Sequence, residues 1–132
     1  MSVTINNVHH IAVICSDYPR SLSFYRDILG LEVLSETYRA ERDSYKADLA
    51  LGGQYIIELF SFPSPPARVS YPEAAGLRHL AFEVSDMDGT IQELTEAGVA
   101  YEPIRTDKTT HQRFTFIADP DGLPIEFYEG KK

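Results

Sequence analysis

Apolar and polar residues alternate along several short stretches of the chain, and two of these stretches resemble each other. Residues 10–18 read HIAVICSDY, and residues 79–87 read HLAFEVSDM. Apolar residues occupy every second position in both, which is typical of a β-strand with one buried face. Asp17 and Asp86 come next, and aspartate is a favoured N-cap. Apolar residues then recur at helical spacing, so the pattern predicts a strand and a helix in both places.

Each predicted helix is followed by three further predicted strands. The helices are expected to end at Gly30 and Gly98, because glycine favours the left-handed conformation that ends a helix. Tight turns at Gly52-Gly53 and at DPDG (119–122) separate the last two strands of each half. The predicted strands are 8–15, 31–37, 45–51 and 54–62 in the first half, and 78–84, 99–104, 112–118 and 123–128 in the second.

The two halves follow one plan, which indicates an internal duplication. His10 aligns with His79, and Glu58 aligns with Glu126 after a one-residue shift of the kind that a loop deletion produces. We therefore predict an α+β fold of two tandem β-α-β-β-β modules within a single domain, 1–132. Module one covers about 8–62 and module two about 77–129, with a proline-rich linker at 63–76.

Strand alternation places one histidine and one glutamate of each half on the same sheet face. Leu80, Phe82 and Val84 pack under the helix, so His79 faces the other way, and His10 has the same parity in the first half. Glu58 and Glu126 likewise oppose the packing residues of their own strands.

Two sheets curled by their twist and facing each other would form a cleft with two imidazoles and two carboxylates. Burying four such groups together is costly unless a cation compensates them. A divalent ion does so, and a mixed nitrogen and oxygen set suits Zn, Ni, Co, Mn or Fe. The pattern therefore predicts a metal site formed by His10, Glu58, His79 and Glu126.

Other interpretations of these residues stay open. A lone histidine or glutamate on a strand is more often exposed or satisfied in the core, and duplication alone could have preserved both pairs. His9 has the opposite parity and is not predicted as a ligand. His111 has no duplicate and is expected in solvent or at a pocket rim. Cys15 fits a small buried hydrophobe better than a nucleophile.

Composition narrows the function classes. The 132 residues carry a net charge of −8 without a basic run, which argues against nucleic acid. The apolar stretches are strand-sized, which argues against a membrane span, and the first residues do not resemble a secretory signal. The single cysteine excludes an intrachain disulfide and suits a reducing cytoplasm, where we expect the protein to be.

Four segments together resemble the vicinal oxygen chelate superfamily, and within it the glyoxalase I type. These are HHIAVICSD with FYRDILGLEV, the acid of ELF, GLRHLAFEVSD, and FTFIADPDGLPIEFYE, spanning Val8 to Glu129. The resemblance implies the glyoxalase/bleomycin resistance/dioxygenase fold, an open, curved, mixed β-sheet barrel around a divalent metal, with Zn or Ni favoured. It implies His10, Glu58, His79 and Glu126 as ligands and a homodimer, in which some members build each site from two subunits.

The resemblance also implies a lyase or isomerase, such as lactoylglutathione lyase, that works through a metal-stabilised enediolate. The substrate would be a small α-hydroxycarbonyl compound or thiohemiacetal, with Glu126 taking a carbon-bound proton and Glu58 returning it. Ile14 and Phe62 stand where glutathione-using members carry Arg and Asn, which argues against glutathione. Four nearby residues could bind an anionic substrate instead, or be exposed strand residues: Arg39, Arg42, Tyr45 and Lys46.

Two alternatives to glyoxalase chemistry remain at this point. One is a metal-dependent epimerase or another superfamily enzyme with a non-glutathione substrate. The other is a non-catalytic protein that binds a small molecule such as an antibiotic in the same fold. Aromatic residues could exclude water from a catalytic site or line such a binding cleft: Phe60, Phe62, Phe114 and Tyr128.

Overall fold

A computed structural model of the protein describes residues 1–130, so the two C-terminal lysines of the predicted domain lie outside it. The chain divides into two compact units at the bond between Pro66 and Ala67, inside the predicted linker. Each unit contains one four-stranded sheet. Within the described residues, the linker segment 63–76 contains neither helix nor strand.

The first unit has the predicted β-α-β-β-β order. Its elements are β1 (Ile11–Cys15), α1 (Tyr18–Ser23) with a π-helical continuation (Phe24–Ile28), β2 (Glu32–Arg39), a 3₁₀ turn (Ala40–Arg42), β3 (Ser44–Leu51) and β4 (Gln54–Ser61). The strand order is β1-β4-β3-β2. β1 runs parallel to β4, and the other pairs are antiparallel.

The second unit repeats this plan with a shorter edge strand. Its elements are β5 (Leu80–Val84), α2 (Met87–Glu96), β6 (Arg105–Thr106), β7 (Arg113–Ala118) and β8 (Pro124–Glu129). The order β5-β8-β7-β6 is equivalent to that of the first unit, again with one parallel pair. Two mixed sheets with few helices confirm the predicted fold class. No helix in residues 1–130 has the length and apolar character that crossing a membrane requires.

The helix boundaries confirm the capping predictions. The side chain of Asp17 accepts a hydrogen bond from the Arg20 N–H at 3.2 Å, and Asp86 accepts one from the Gly89 N–H at 3.1 Å. Gly30 and Gly98 follow the helices with φ of +74° and +72°, where a side chain would be strained. The π-helical continuation of α1 was not evident from the sequence.

The predicted strand at 99–104 is wrong, because regular pairing is confined to Arg105 and Thr106. Upstream, Glu102 makes two separate bonds: its N–H donates to the Phe116 carbonyl at 3.0 Å, and its carbonyl accepts from the Thr115 hydroxyl at 2.6 Å. Pro103 follows without an N–H to donate, which interrupts a ladder. The segment is therefore tied to β7 at one point instead of pairing along its length.

The buried faces of the strands follow the predicted alternation. Val13 and Cys15 are buried on β1, as are Ile57 and Leu59 on β4. Cys15 is 1% exposed, which confirms its assignment as a buried residue. In the second unit, Leu80 on β5 and Ile125 and Phe127 on β8 are buried in the same manner, whereas Pro124 is buried although the alternation places it on the Glu126 face.

A buried carboxylate ties α2 to the second sheet. Glu129, 6% exposed, accepts a hydrogen bond from the Met87 N–H at 2.9 Å, in the first turn of α2. Its two oxygens also accept from the Arg113 guanidinium, both at 3.1 Å. Arg113 in turn reaches Asp88 at 3.0 Å, so one arginine connects the helix to two strands.

Replacing Glu129 by alanine should destabilise the protein. The change leaves the buried Met87 N–H without its acceptor, so we expect the free energy of unfolding to fall by about 2–4 kcal/mol. Urea denaturation would measure it. Glu93→Ala, on the exposed side of α2, is the control and should change stability by less than about 0.5 kcal/mol. Equal effects of the two variants would contradict the role assigned to Glu129.

Candidate metal centre

In the first unit, His10 and Glu58 are brought together by the parallel pairing of β1 with β4. Ala12 lies opposite Glu58 in the register, and His10 precedes Ala12 by one strand repeat on the same face. The predicted strand began at residue 8, but pairing starts at Ile11, so His10 stands just outside the ladder. Its Nε2 is 3.6 Å from Glu58 Oε1, and the two side chains are 34% and 18% exposed.

The second unit contains the equivalent pair. Ala81 lies opposite Glu126, and His79 precedes β5 in the way that His10 precedes β1. His79 Nε2 is 3.3 Å from Glu126 Oε1, with side-chain exposures of 33% and 14%. The duplication seen in sequence therefore recurs as a duplicated contact between imidazole and carboxylate.

The spacing of these pairs fits two ligands of one cation. Both distances exceed the usual 2.7–3.2 Å of a direct N–H···O hydrogen bond. Two donors that each lie about 2.1 Å from a tetrahedral ion are roughly 3.4 Å apart. Within each unit, no cluster of three or more His, Cys, Asp or Glu side chains suited to a metal occurs among residues 1–130. Each unit thus supplies two donors, and the four-ligand set stays a prediction.

The His10 ring is held by two neighbours that sequence reasoning left out of the site. The Tyr55 ring stacks on it, with centroids 5.1 Å apart and planes 13° apart. His9 Nδ1 lies 2.8 Å from His10 Nδ1, so one of these nitrogens carries the proton. With Nδ1 of His10 engaged by His9, its Nε2 is left facing Glu58. Outer contacts of this kind orient the ligating histidines of metal sites.

Tyr55 reaches this face because the strand alternation changes in β4. Leu49 pairs with Ile57 but Ala50 pairs with Tyr55, so Ile56 is an extra residue in β4. Such a bulge re-aims the side chains beside it. Simple alternation from Glu58 would place Tyr55 on the opposite face, which explains why its contact with His10 was not evident from the sequence.

A charged network surrounds Glu58. Lys46 Nζ lies 3.3 Å from Glu58 Oε2 and 3.4 Å from Asp48 Oδ1. Burial lowers the pKa of Lys46, but the hydrogen bond with Glu58 and the charge of Asp48 outweigh it, so the pKa lies above its ordinary value. Burial raises the pKa of Asp48, but hydrogen bonds from Ser35 and Tyr55, together with Lys46, lower it overall. Lys46 and Asp48 therefore both remain charged at neutral pH.

Glu126 has an aromatic setting instead. Phe116 lies directly opposite it on β7, and the Phe116 ring meets the His79 ring edge-on at 5.1 Å. Arg105 lies over the Phe116 and Phe114 rings, 5.5 and 5.1 Å from their centroids. The two candidate acids thus have different surroundings, one beside an ammonium group and one beside phenyl rings.

The other residues that the sequence analysis singled out are four aromatic residues, His111 and Ile14. Phe60 stacks on Phe62 at 6.0 Å, and Phe114 stacks on Tyr128 at 6.2 Å. The Tyr128 hydroxyl donates to Asp107 Oδ2 at 3.0 Å and also contacts the Thr110 hydroxyl. His111 is exposed, with a φ of +63°, and follows the turn at residues 108–110. Ile14, on the His10 face, is 55% exposed.

The fold and the paired contacts define a family. The Glyoxalase/Bleomycin resistance protein/Dioxygenase superfamily matches residues 7–127, and the chain belongs to that superfamily. A solved glyoxalase family protein from Enterococcus faecalis is 47% identical, with a TM-score of 0.87 over 93% of this chain and 97% of that one.

Two curated relatives span nearly the whole chain. The uncharacterized protein YwkD of Bacillus subtilis is 61% identical and covers 95% of this chain and 98% of its own length. Lactoylglutathione lyase of Haemophilus influenzae is 31% identical over 92% of this chain and 91% of its own. Superfamily membership is therefore shown along the full domain, and similarity to an enzyme extends over the same length.

Replacing Tyr55 tests the geometry around His10. Tyr55→Leu removes the stacked ring, so the ring-current contribution to the His10 Cε1–H chemical shift should disappear. Tyr55→Phe keeps the ring and should leave that shift nearly unchanged. A ¹H–¹³C spectrum of the histidine rings measures both, with His79 as the internal control because its ring contacts Phe116. An unmoved His10 signal in Tyr55→Leu would contradict the stacking.

Proposed function

We propose that the protein is a divalent-metal-dependent lyase or isomerase of the glyoxalase I type. The observation that supports this most is the recurrence of a histidine–glutamate pair at donor spacing, 3.6 and 3.3 Å, in equivalent positions of both units. The substrate would be a small α-hydroxycarbonyl compound or thiohemiacetal. The similarity to lactoylglutathione lyase of Haemophilus influenzae supports the same chemistry.

The proposed ligands are His10, Glu58, His79 and Glu126. Two imidazoles and two carboxylates suit Zn²⁺ or Ni²⁺ best, with Co²⁺, Mn²⁺ or Fe²⁺ also compatible. When bound, such an ion would supply Lewis-acid stabilisation of negative charge on neighbouring substrate oxygens. We further propose that the protein works as a homodimer in the cytoplasm, as the resemblance and the single buried cysteine suggest.

The two acids divide the proton transfer between them. Glu126 takes the proton from a substrate carbon, and Glu58 returns a proton to the adjacent carbon, so the reaction moves a hydrogen without net oxidation. Their surroundings favour this assignment. Lys46 engages one oxygen of Glu58, whereas Glu126 contacts His79 and lies opposite Phe116.

The thiol partner is proposed to be something other than glutathione. Ile14 and Phe62 occupy the positions where the glutathione-using relatives would place Arg and Asn, and neither side chain can bind a peptide carboxylate or amide. A substrate without a tripeptide fits these positions better. An epimerase acting on a hydroxy acid derivative would use the same acids and is separated from glyoxalase chemistry by its product.

Metal content tests the ligand set. We expect purified protein to retain a divalent ion after dialysis and to lose it in His79→Ala and in Glu126→Gln. Mutating a residue that only hydrogen-bonds a metal ligand typically lowers metal affinity by about 10- to 100-fold, so removing a ligand itself should lower the affinity more. Elemental analysis by mass spectrometry gives the readout, and His111→Ala is the matched control. Wild-type metal content in both ligand variants would reject the site.

Turnover tests the reaction class separately. Protein loaded with Ni²⁺ or Zn²⁺ should convert the hemithioacetal of methylglyoxal, and a small-thiol adduct should serve at least as well as the glutathione adduct. With the ion supplied at a concentration that saturates the variant, Glu126→Gln should lower kcat by about 10²- to 10⁴-fold, the usual contribution of a general base. Glu93→Gln, the same substitution at an exposed position of α2, is the control. Absence of turnover with every divalent ion would reject glyoxalase chemistry and leave the metal site standing.

A further inference from the structure

Arg39, the last residue of β2, is held over two aromatic rings. Its guanidinium carbon lies 4.7 Å from the Phe60 centroid and 5.8 Å from the Phe62 centroid. One terminal nitrogen donates to the Ser44 hydroxyl at 2.9 Å. Its Nε is shielded from solvent and has no hydrogen-bond partner within the described chain.

Arg42 extends the same group of cations. Its guanidinium carbon lies 5.1 Å from the Phe62 centroid, so the Phe62 ring contacts both arginines. In residues 1–130, neither Arg39 nor Arg42 forms an ion pair with a carboxylate.

Phe60 and Phe62 form an aromatic platform under two guanidinium groups that no carboxylate of residues 1–130 pairs with. Such an arrangement suits an oxyanion. The rings fix the plane of the guanidinium by cation–π stacking. The fork then matches carboxylate and phosphate oxygens with paired N–H donors. The buried Nε of Arg39 is unsatisfied, which is unfavourable, so a small shift of the side chain that lets a ligand oxygen reach it would be favoured.

The platform lies on the same strand face as the candidate metal ligand Glu58. Glu58 and Phe60 are alternate residues of β4, and Phe62 follows next in the alternation just beyond its end. Two residues of a strand advance about 7 Å. The arginines, which lie over Phe60 and Phe62, are therefore roughly 7–14 Å along the face from Glu58. A compact molecule with oxygens near Glu58 and an anionic end can span that distance.

We propose that Arg39 and Arg42 form a subsite for the terminal oxyanion, a phosphate or a carboxylate, of the substrate. Placing that anion on the same molecule as the reacting carbonyl rests on the proposed function. The anion subsite itself does not, because it can be measured on metal-free protein.

Arg105 of the second unit is a matched control, because it stacks on aromatic rings but its guanidinium is already paired with a carboxylate. Arg105 lies over Phe114 and Phe116 at 5.1 and 5.5 Å, much as Arg39 lies over its rings. Its Nη2, however, donates to Glu102 Oε1 at 3.0 Å, so an acid of the chain already occupies the fork. Arg105 should therefore not bind an added oxyanion in the way that Arg39 does.

The test is a titration of ¹⁵N-labelled, metal-free protein with inorganic phosphate and, separately, with acetate. We expect a saturable shift of the Arg39 Nε–H signal with at least one of them, and the tighter of the two identifies the anion class. In Arg39→Met, whose side chain still covers Phe60, phosphate or acetate should bind at least tenfold more weakly. Arg42→Met should weaken binding less, and Arg105→Met should leave it unchanged.

The outcomes separate this proposal from the proposed function. No saturable shift with either anion, or equal binding by wild type and Arg39→Met, would overturn the subsite. Arg39→Lys keeps the charge but not the fork, so wild-type binding by that variant would show a nonspecific charge effect and also overturn it. Anion binding without any metal binding would support the subsite and reject the catalytic proposal. Metal binding without anion binding would reject the subsite and support the catalytic proposal.

Discussion

Parallel pairing between the first and last strands of each unit is the constraint on which both half-sites depend. It sets Ala12 opposite Glu58 and Ala81 opposite Glu126. The histidine one strand repeat earlier is then delivered to the same face as the acid. A register slip of one residue would turn each glutamate into the buried layer, because side chains alternate between faces. The buried residues on either side of each acid, such as Ile57 and Leu59, prevent that slip by packing on the other face.

The two half-sites share one geometry but differ in electrostatics, and the difference bears on function. In the first unit, Lys46 and Asp48 surround Glu58, and Arg39 lies further along the same strand face. In the second unit the corresponding side chains are largely aromatic, with Phe116 beside the acid. The two units thus carry equivalent pairs of candidate ligands, one beside an ammonium group and the other beside phenyl rings. That asymmetry suits a reaction in which one acid is a base and the other returns the proton.

Most of the fold could be predicted from the sequence because its signals are local. Alternation in β1 and β5 and the caps at Asp17 and Asp86 depend only on neighbouring residues, and the structure confirms them. The strand predicted at 99–104 failed because Pro103 removes a donor that a ladder would need. The contact of each histidine with its own glutamate followed from the repeat, whereas the joining of both pairs on one ion stays a proposal.

What the sequence could not reveal depends on register and on side chains far apart in the chain. The bulge at Ile56 brings Tyr55 to His10 against the simple alternation, and no local signal marks it. His9 has the wrong parity for a ligand, yet its ring reaches the outer nitrogen of His10. Arg39 could be seen as a cation near the site, but its position over Phe60 depends on how β2, β3 and β4 align.

X-ray absorption by protein loaded with a single equivalent of Zn²⁺ tests the central claim most directly. We propose that His10 and His79 bind the same ion together with Glu58 and Glu126. The spectrum should therefore show scattering from two imidazole rings per zinc, with oxygen donors completing the shell, and His79→Ala should show one ring. A wild-type spectrum with one imidazole, or none, would contradict the shared site.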